Sequence, residues 1–192
     1  MYVCSGIQNA DWSGLLNWLS EEMSYACENG DTVGFAPISD VVITRLNALI
    51  VCSTPCPPSE VQYHVLFFLE NEWQRFTETA KSEIFQTIVA SFACLSDMRC
   101  KFIIVELLGR FFADRKALLA LKSFSEDGSD DTRQLAAVGI AQFVRHTSDM
   151  QSKSKATDLL RKLTEDHSRK VRNEAIPLLH TILTSRSKSR LP

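Results

Sequence analysis

Glu126-Asp127-Gly128-Ser129-Asp130-Asp131-Thr132-Arg133-Gln134-Leu135-Ala136-Ala137-Val138-Gly139-Ile140-Ala141-Gln142-Phe143-Val144 is the stretch that decides the fold of this chain. Its first six residues read as a turn, because Gly, Asp and Ser leave helical backbone readily and cap the helix that follows. Its remainder reads as a helix with few polar positions, suited to an interior layer. The pattern returns after a shift of 39 residues. Glu165-Asp166-His167-Ser168-Arg169-Lys170 is again a turn, followed by Val171-Arg172-Asn173-Glu174-Ala175-Ile176-Pro177-Leu178-Leu179. In both copies an Asp (127, 166) precedes an Arg (133, 172) by six, an Ala (136, 175) follows the Arg by three, and an apolar residue (Ile140, Leu179) follows by seven.

Each copy is preceded by its own amphipathic segment, Arg115–Phe124 and Lys153–Leu163. Two helices joined by a turn cannot bury an apolar stripe alone, so such pairs stack. The last helix carries apolar Val171, Ala175, Leu178, Leu179 and Ile182 against polar Arg172, Asn173, His180 and Thr184. A polar outer face of that kind suits the end of a stack. Pro177 removes one backbone hydrogen bond from this helix, and residues 185–192 read as a solvated basic tail.

The Asp-turn and the Arg that opens the second helix resemble the HEAT repeat, an antiparallel helix pair of about 40 residues. The resemblance spans residues 115–183. It implies that Asp127, Arg133, Asp166 and Arg172 are structural, since in that family the Asp and the Arg link successive repeats. On this reading the two Asp residues are equivalent, each worth roughly 1–2 kcal/mol through turn and cap hydrogen bonds. A weaker echo lies at Asp97-Met98-Arg99. The implied fold class is all-α, a short α-solenoid of about eight or nine helices in HEAT-like antiparallel pairs.

Working toward the N-terminus, the apolar spacing stays at three to four residues. Asp11 opens a helix with Trp12, Leu15, Leu16, Leu19 and Met23 on one face, and Ser39-Asp40 opens another that ends before Pro55, Pro57 and Pro58. Ser59-Glu60 opens a third, followed by helices over about 80–94, 97–112 and 114–124. The chain divides into an acidic, irregular N-terminal part (1–58), central helices (59–114), the two repeats (115–184) and the tail (185–192), within one continuous domain.

Net charge is −2 overall and is uneven: −5 over residues 1–58, −3 over 59–150 and +6 over 151–192. No apolar run approaches the roughly 20 residues that span a bilayer, and no signal peptide is evident, so a cytoplasmic location without membrane partners is expected. The six cysteines, Cys4, Cys27, Cys52, Cys56, Cys94 and Cys100, lack the paired short spacings of a structural zinc site, and read as reduced, buried apolar residues. No phosphate-binding loop, dinucleotide fingerprint or nucleophile elbow occurs, so no catalytic residue, cofactor or metal is expected.

A binding function remains. Family resemblance places ligands most often on the second-helix side, which offers Arg133, Gln134, Gln142, Asn173, His180 and Thr184. Trp12 shares the stripe of Leu15 and Leu19 and reads as core, while Trp73 and Phe76 are open to either reading, interface anchor or, more commonly, core. Trp18, Glu21, Glu22 and Tyr25 form an acidic-aromatic group suited to a basic protein partner. Arg161, Lys162, Arg169 and Lys170 form a candidate anion site, although no aromatic residues interleave them for base stacking. The leading expectation is a protein-binding adaptor or scaffold. The alternatives are a stoichiometric inhibitor of the immunity or antitoxin kind, and a nucleic-acid binder using the basic C-terminal repeat.

Overall fold

A computed structural model of the chain describes Asn47, Ile50 and residues 58–188. The elements are α1 (Ser59–Asn71), a 3-10 turn (Trp73–Arg75), α2 (Glu78–Ser91), α3 (Met98–Leu107) running into a π-helical turn (Leu108–Phe112), α4 (Arg115–Ser125), α5 (Asp130–His146), α6 (Met150–Leu163) and α7 (Arg169–Lys188). Among the described residues there are seven α-helices and no strand, so the all-α expectation holds. The first helix expected from sequence lies outside the described residues, as does most of the second. Asn47 and Ile50 of that second segment are helical, and Ile50 is fully buried in the core.

The helix starts follow from side chains that accept otherwise unpaired backbone N–H groups. Thr77 accepts from the Ala80 amide at 3.2 Å, Asp97 from Arg99 at 2.8 Å and Asp114 from Ala117 at 2.8 Å. Asp149 accepts from both Gln151 and Ser152 at 3.1 Å, so α6 begins at Met150, three residues before the sequence reading placed it. Helix α1 follows Pro58, whose fixed φ suits the residue before a first turn. Helix α7 passes through Pro177 and continues to Lys188, so residues 185–188 are helical and do not belong to a loose tail.

Helix α5 is the centre of the packing. It touches α3, the π turn, α4, α6 and α7. Alternate helices also meet, α1 on α3, α3 on α5, α5 on α7, and α4 on α6. The core therefore runs continuously from Val61 and Leu69 through Ile104 and Leu121 to Ile140, Leu160 and Val171. Trp73 and Phe76, both 4% exposed, belong to it.

Two local features set the spacing in the middle of this core. A Cβ added at Gly109 would lie 2.3 Å from the Gly139 carbonyl oxygen, and one added at Gly139 would lie 2.5 Å from Leu121 Cδ2 and 2.9 Å from the Val105 carbonyl oxygen. The π turn and α5 thus meet backbone to backbone, where only glycine fits. Next to it the chain takes up one extra residue. Ala113 donates its N–H to the Leu108 carbonyl at 3.3 Å and adopts a left-handed φ of 25°. That conformation costs an alanine about 1–2 kcal/mol. It seats Phe112 edge-on against Trp73 and Phe85, with ring centroids 4.7 and 4.9 Å away, contacts of a size to offset the strain.

A glycine in an exposed helix gains about 1 kcal/mol when replaced by alanine. Here the sign reverses. Gly109→Ala and Gly139→Ala are each expected to destabilise by about 1–3 kcal/mol, with Gly109→Ala the more costly because its closest clash is with backbone, whereas that of Gly139 is with the end of the Leu121 side chain. Equilibrium urea unfolding measures both.

Candidate partner-binding surface

The corner joining α6 to α7 holds the strongest polar network. Arg133, near the start of α5, reaches out of its own helix pair. Its Nε donates to Asp166 Oδ2 at 2.9 Å and its Nη2 to Asp166 Oδ1 at 3.1 Å, a two-pronged pairing. The same Nη2 donates to Asp130 Oδ1 at 2.6 Å. Nη1 donates to the Asp127 and Gly128 carbonyl oxygens at 2.8 and 3.1 Å. The guanidinium is thus engaged on every edge, and the side chains of Arg133 and Asp166 are only 6% and 9% exposed.

The second copy repeats half of this. Arg172 Nη1 donates to the Asp166 and His167 carbonyl oxygens at 2.6 and 2.9 Å. Asp127 and Asp166 each accept the amide of the residue two ahead, Ser129 and Ser168, at 2.8 Å. The two Asp residues then diverge, contrary to the equivalence expected from sequence. Asp166 receives Arg133 from the preceding helix pair, whereas the position that would serve Asp127 in the same way, 39 residues before Arg133, is Cys94.

Electrostatics follow the geometry. The Arg133 hydrogen bonds, helped by the Ser168 amide, hold the Asp166 carboxyl below its ordinary value. The Ser168 hydroxyl and then Arg133 do the same for Asp130. Asp166 in return raises the Arg133 guanidinium.

A second set of ties crosses the open face of α1, α3, α5 and α7. Arg99 donates to Glu60 at 3.0 Å, and Arg110 lies 3.9 Å from Glu70. Gln142 donates to Glu106 at 2.8 Å, Gln134 to Glu174 at 3.1 Å, and Lys170 to Asp131. The half-buried Glu70 carboxyl is pushed up, first by burial and then by the charge of Glu106. Gln134 and Gln142, read from sequence as ligand contacts, thus join helices to one another.

Between these ties the face carries exposed apolar groups. Phe67 on α1 and Phe102 on α3 are 37% and 44% exposed, and Met98 lies one turn before Phe102. Tyr63 stacks on Phe67 with centroids 6.1 Å apart, and the Arg99 guanidinium sits 4.7 Å above the Tyr63 ring. Sequence reasoning missed Phe67 and Phe102. Phe67 lies beside the buried Phe68 and outside the stripe of Val61, Val65 and Leu69, and that offset is the signal that identifies it.

The other sequence candidates are dispersed. Trp18, Glu21, Glu22 and Tyr25 lie outside the described residues. Asn173 and His180 are exposed on α7, away from the Phe67 end of the face. Arg161, Lys162, Arg169 and Lys170 do gather at the α6–α7 corner, all exposed, but Arg161 pairs with Asp158 at 2.7 Å and Lys170 with Asp131. Cys100 fits the buried-thiol reading: burial pushes its thiol up to about 12. Cys94 does not, being exposed; Cys4, Cys27, Cys52 and Cys56 lie outside the described residues.

A cleft of about 270 Å³ beside the π turn brings Trp73, Phe111, Glu78, Lys81 and Asp114 together. Three of its charged side chains are engaged locally. Glu78 pairs with Lys81 at 2.8 Å and Asp114 caps α4. Among the described residues no group of three or more His, Cys, Asp or Glu side chains is arranged to hold a metal, and no helix is long and apolar enough to cross a membrane.

Breaking one side of a buried, hydrogen-bonded ion pair costs about 3–5 kcal/mol. Arg133→Ala is expected to cost about 3 kcal/mol in urea unfolding, whereas Asp127→Ala, which loses one exposed turn hydrogen bond, should cost about 1 kcal/mol. The acid response of Asp166 has a definite sign. Its folded value is lowered, so its contribution is complete above the unfolded carboxyl value near 3.9 and is lost as pH falls through the lowered folded value. Asp166→Asn should therefore be less stable than wild type at pH 7 and lose less stability between about pH 4 and 2, as read by circular-dichroism melting across that range. Equal pH slopes in the two proteins would contradict the network.

Comparison of the chain with family models, with curated proteins and with solved structures yields no match.

Proposed function

We propose that this chain is a short helical-repeat module of the HEAT type that binds another protein through the open face of α1, α3 and α5. The observation that carries the reading is the exposure of Phe67, Phe102 and Met98 on neighbouring helices of that face. Exposed aromatics held on rigid helices are the usual anchors of a protein interface. The polar ties around them hold the helices in place and supply a rim of paired charges. The repeat reading is supported by the 39-residue recurrence of the Arg-to-carbonyl bonds and by the packing of each odd-numbered helix on the next. The role is that of an adaptor or scaffold, with no catalysis.

The inhibitor alternative draws on the acidic residues 1–58, whose candidates Trp18, Glu21, Glu22 and Tyr25 fall outside the described residues. The nucleic-acid alternative is weakened by the carboxylate partners of Arg161 and Lys170. Each cation already paired gains less from a phosphate.

Phe67→Glu with Phe102→Glu changes two partly exposed side chains and should leave the protein folded, at a cost of about 1–2 kcal/mol from the lost Tyr63 stack and partial burial. Affinity capture with quantitative mass spectrometry is expected to recover a protein partner with wild type and with a Leu119→Glu control, and to lose it with the double variant. Loss instead through Arg169→Glu with Lys170→Glu, while the aromatic variant still binds, would replace this reading with the anion-binding one.

A further inference from the structure

The outer face of α7 differs from what the sequence led us to expect of an end helix. It is not polar. Ile176 and Leu183 are 52% and 45% exposed, and His180 lies exposed between them. Half-buried Arg172 stands one turn before Ile176, so the four residues form one stripe at helical spacing.

The chain contains a template for what such a stripe does. A shift of 39 residues places Arg172, Ile176, His180 and Leu183 on Arg133, Ala137, Ala141 and Val144 of α5. That α5 stripe is closed off completely, its members no more than 5% exposed. It lies on the side of α5 that meets α7, because Arg133 and its neighbour Gln134 bond across to Asp166 and Glu174. Arg133 works there with two edges. Nη1 holds the turn carbonyls of its own repeat, and the Nε–Nη2 edge holds the Asp166 carboxylate of the next corner. Arg172 repeats the first bonds through its own Nη1. Among the described residues no carboxylate lies on its other edge.

We infer that the Arg172–Leu183 face of α7 docks a separate, acidic helical protein that presents a carboxylate at a helix–turn–helix corner. The carboxylate takes the free edge of Arg172, and the partner's helix covers Ile176, His180 and Leu183. Charge selects an acidic partner. Helix α7 contains five basic residues and one acid, Glu174, which already accepts from Gln134. Two copies pairing through α7 would set bases against bases. A second copy cannot offer its own α5 in place of the partner either, because α3 and the π turn occupy the opposite side of that helix and α7 the near side. This surface is separate from the Phe67–Phe102 face, so the two can fail independently.

The test uses the full chain with a photo-reactive benzoylphenylalanine at position 176 or 183, and at position 150 as a control, irradiated in the cells that make the protein. Adducts are identified by mass spectrometry, and the crosslinked protein is purified and titrated by calorimetry. The expected result is one acidic helical protein crosslinked from 176 and 183 but not from 150. Its Kd should weaken at least tenfold with Arg172→Ala and with Ile176→Glu, and stay unchanged with Phe67→Glu. Since Arg172→Ala also loses two turn hydrogen bonds, the exposed Ile176→Glu keeps the test valid if the former unfolds. An adduct with a second copy or with nucleic acid, no adduct at all, or an affinity indifferent to both variants would overturn the inference.

Discussion

The two-pronged bond between Arg133 and Asp166 is the constraint on which the C-terminal half of this protein depends. Arg133 belongs to α5 and Asp166 to the corner before α7, so the pair joins one helix pair to the next. A guanidinium this deeply placed is tolerated only because every edge has an acceptor. The carbonyls of Asp127 and Gly128 hold one edge, and Asp130 shares another with Asp166. The corner is thereby made rigid, and α7 is set at a fixed position on α5. The apolar contacts of Ala137, Ala141 and Val144 then follow from that placement, since all lie on the same side of the helix.

Toward the N-terminus a different device serves the same end. Among the described residues no arginine reaches Asp127 from the preceding pair, and the junction is instead made by backbone contact. Gly109 and Gly139 let the π turn approach α5 more closely than any side chain would allow. The π turn and the left-handed Ala113 then place Phe112 against Trp73 and Phe85. One side of α5 is thus held by charge and the other by the absence of side chains. Cheap, directional bonds suit a corner near solvent. A dry crossing in the core has no room for them, and dispersion over a close contact takes their place.

With the helices held in this way, the surfaces left open become informative. The face of α1, α3 and α5 is laced by polar ties between neighbouring helices, yet leaves Phe67 and Phe102 uncovered. The end face of α7 leaves Arg172, Ile176 and Leu183 uncovered. Single exposed apolar residues are ordinary on any protein. These are different because they lie on aligned positions of neighbouring helices, or at positions whose counterparts in the same chain are buried. Recognition of other proteins is the reading we propose for both surfaces.

How much of this was legible in the sequence depends on distance along the chain. Helical periodicity, the capping residues Asp97 and Asp114 and the turn residues around Gly128 are local, and the all-α class with its turns could be read from them, although sequence reasoning missed the Asp149 cap, which is equally local. The recurrence of Asp and Arg at a fixed spacing was legible too, and the resemblance it carries implied a structural role for Asp127, Arg133, Asp166 and Arg172. The sequence could not distinguish Asp127 from Asp166, because their difference lies in whether an arginine from another helix pair arrives. The helical stripes read from sequence leave Phe67 outside Val61, Val65 and Leu69, and Ile176 outside Leu178, Leu179 and Ile182, but they do not say whether a neighbouring helix covers the residues left out. Composition and spacing decide which backbone a segment adopts. Which of its side chains meet water is decided by the neighbours that tertiary packing brings to each face, and here that packing left Phe67, Phe102, Ile176 and Leu183 open while closing Ala137, Ala141 and Val144.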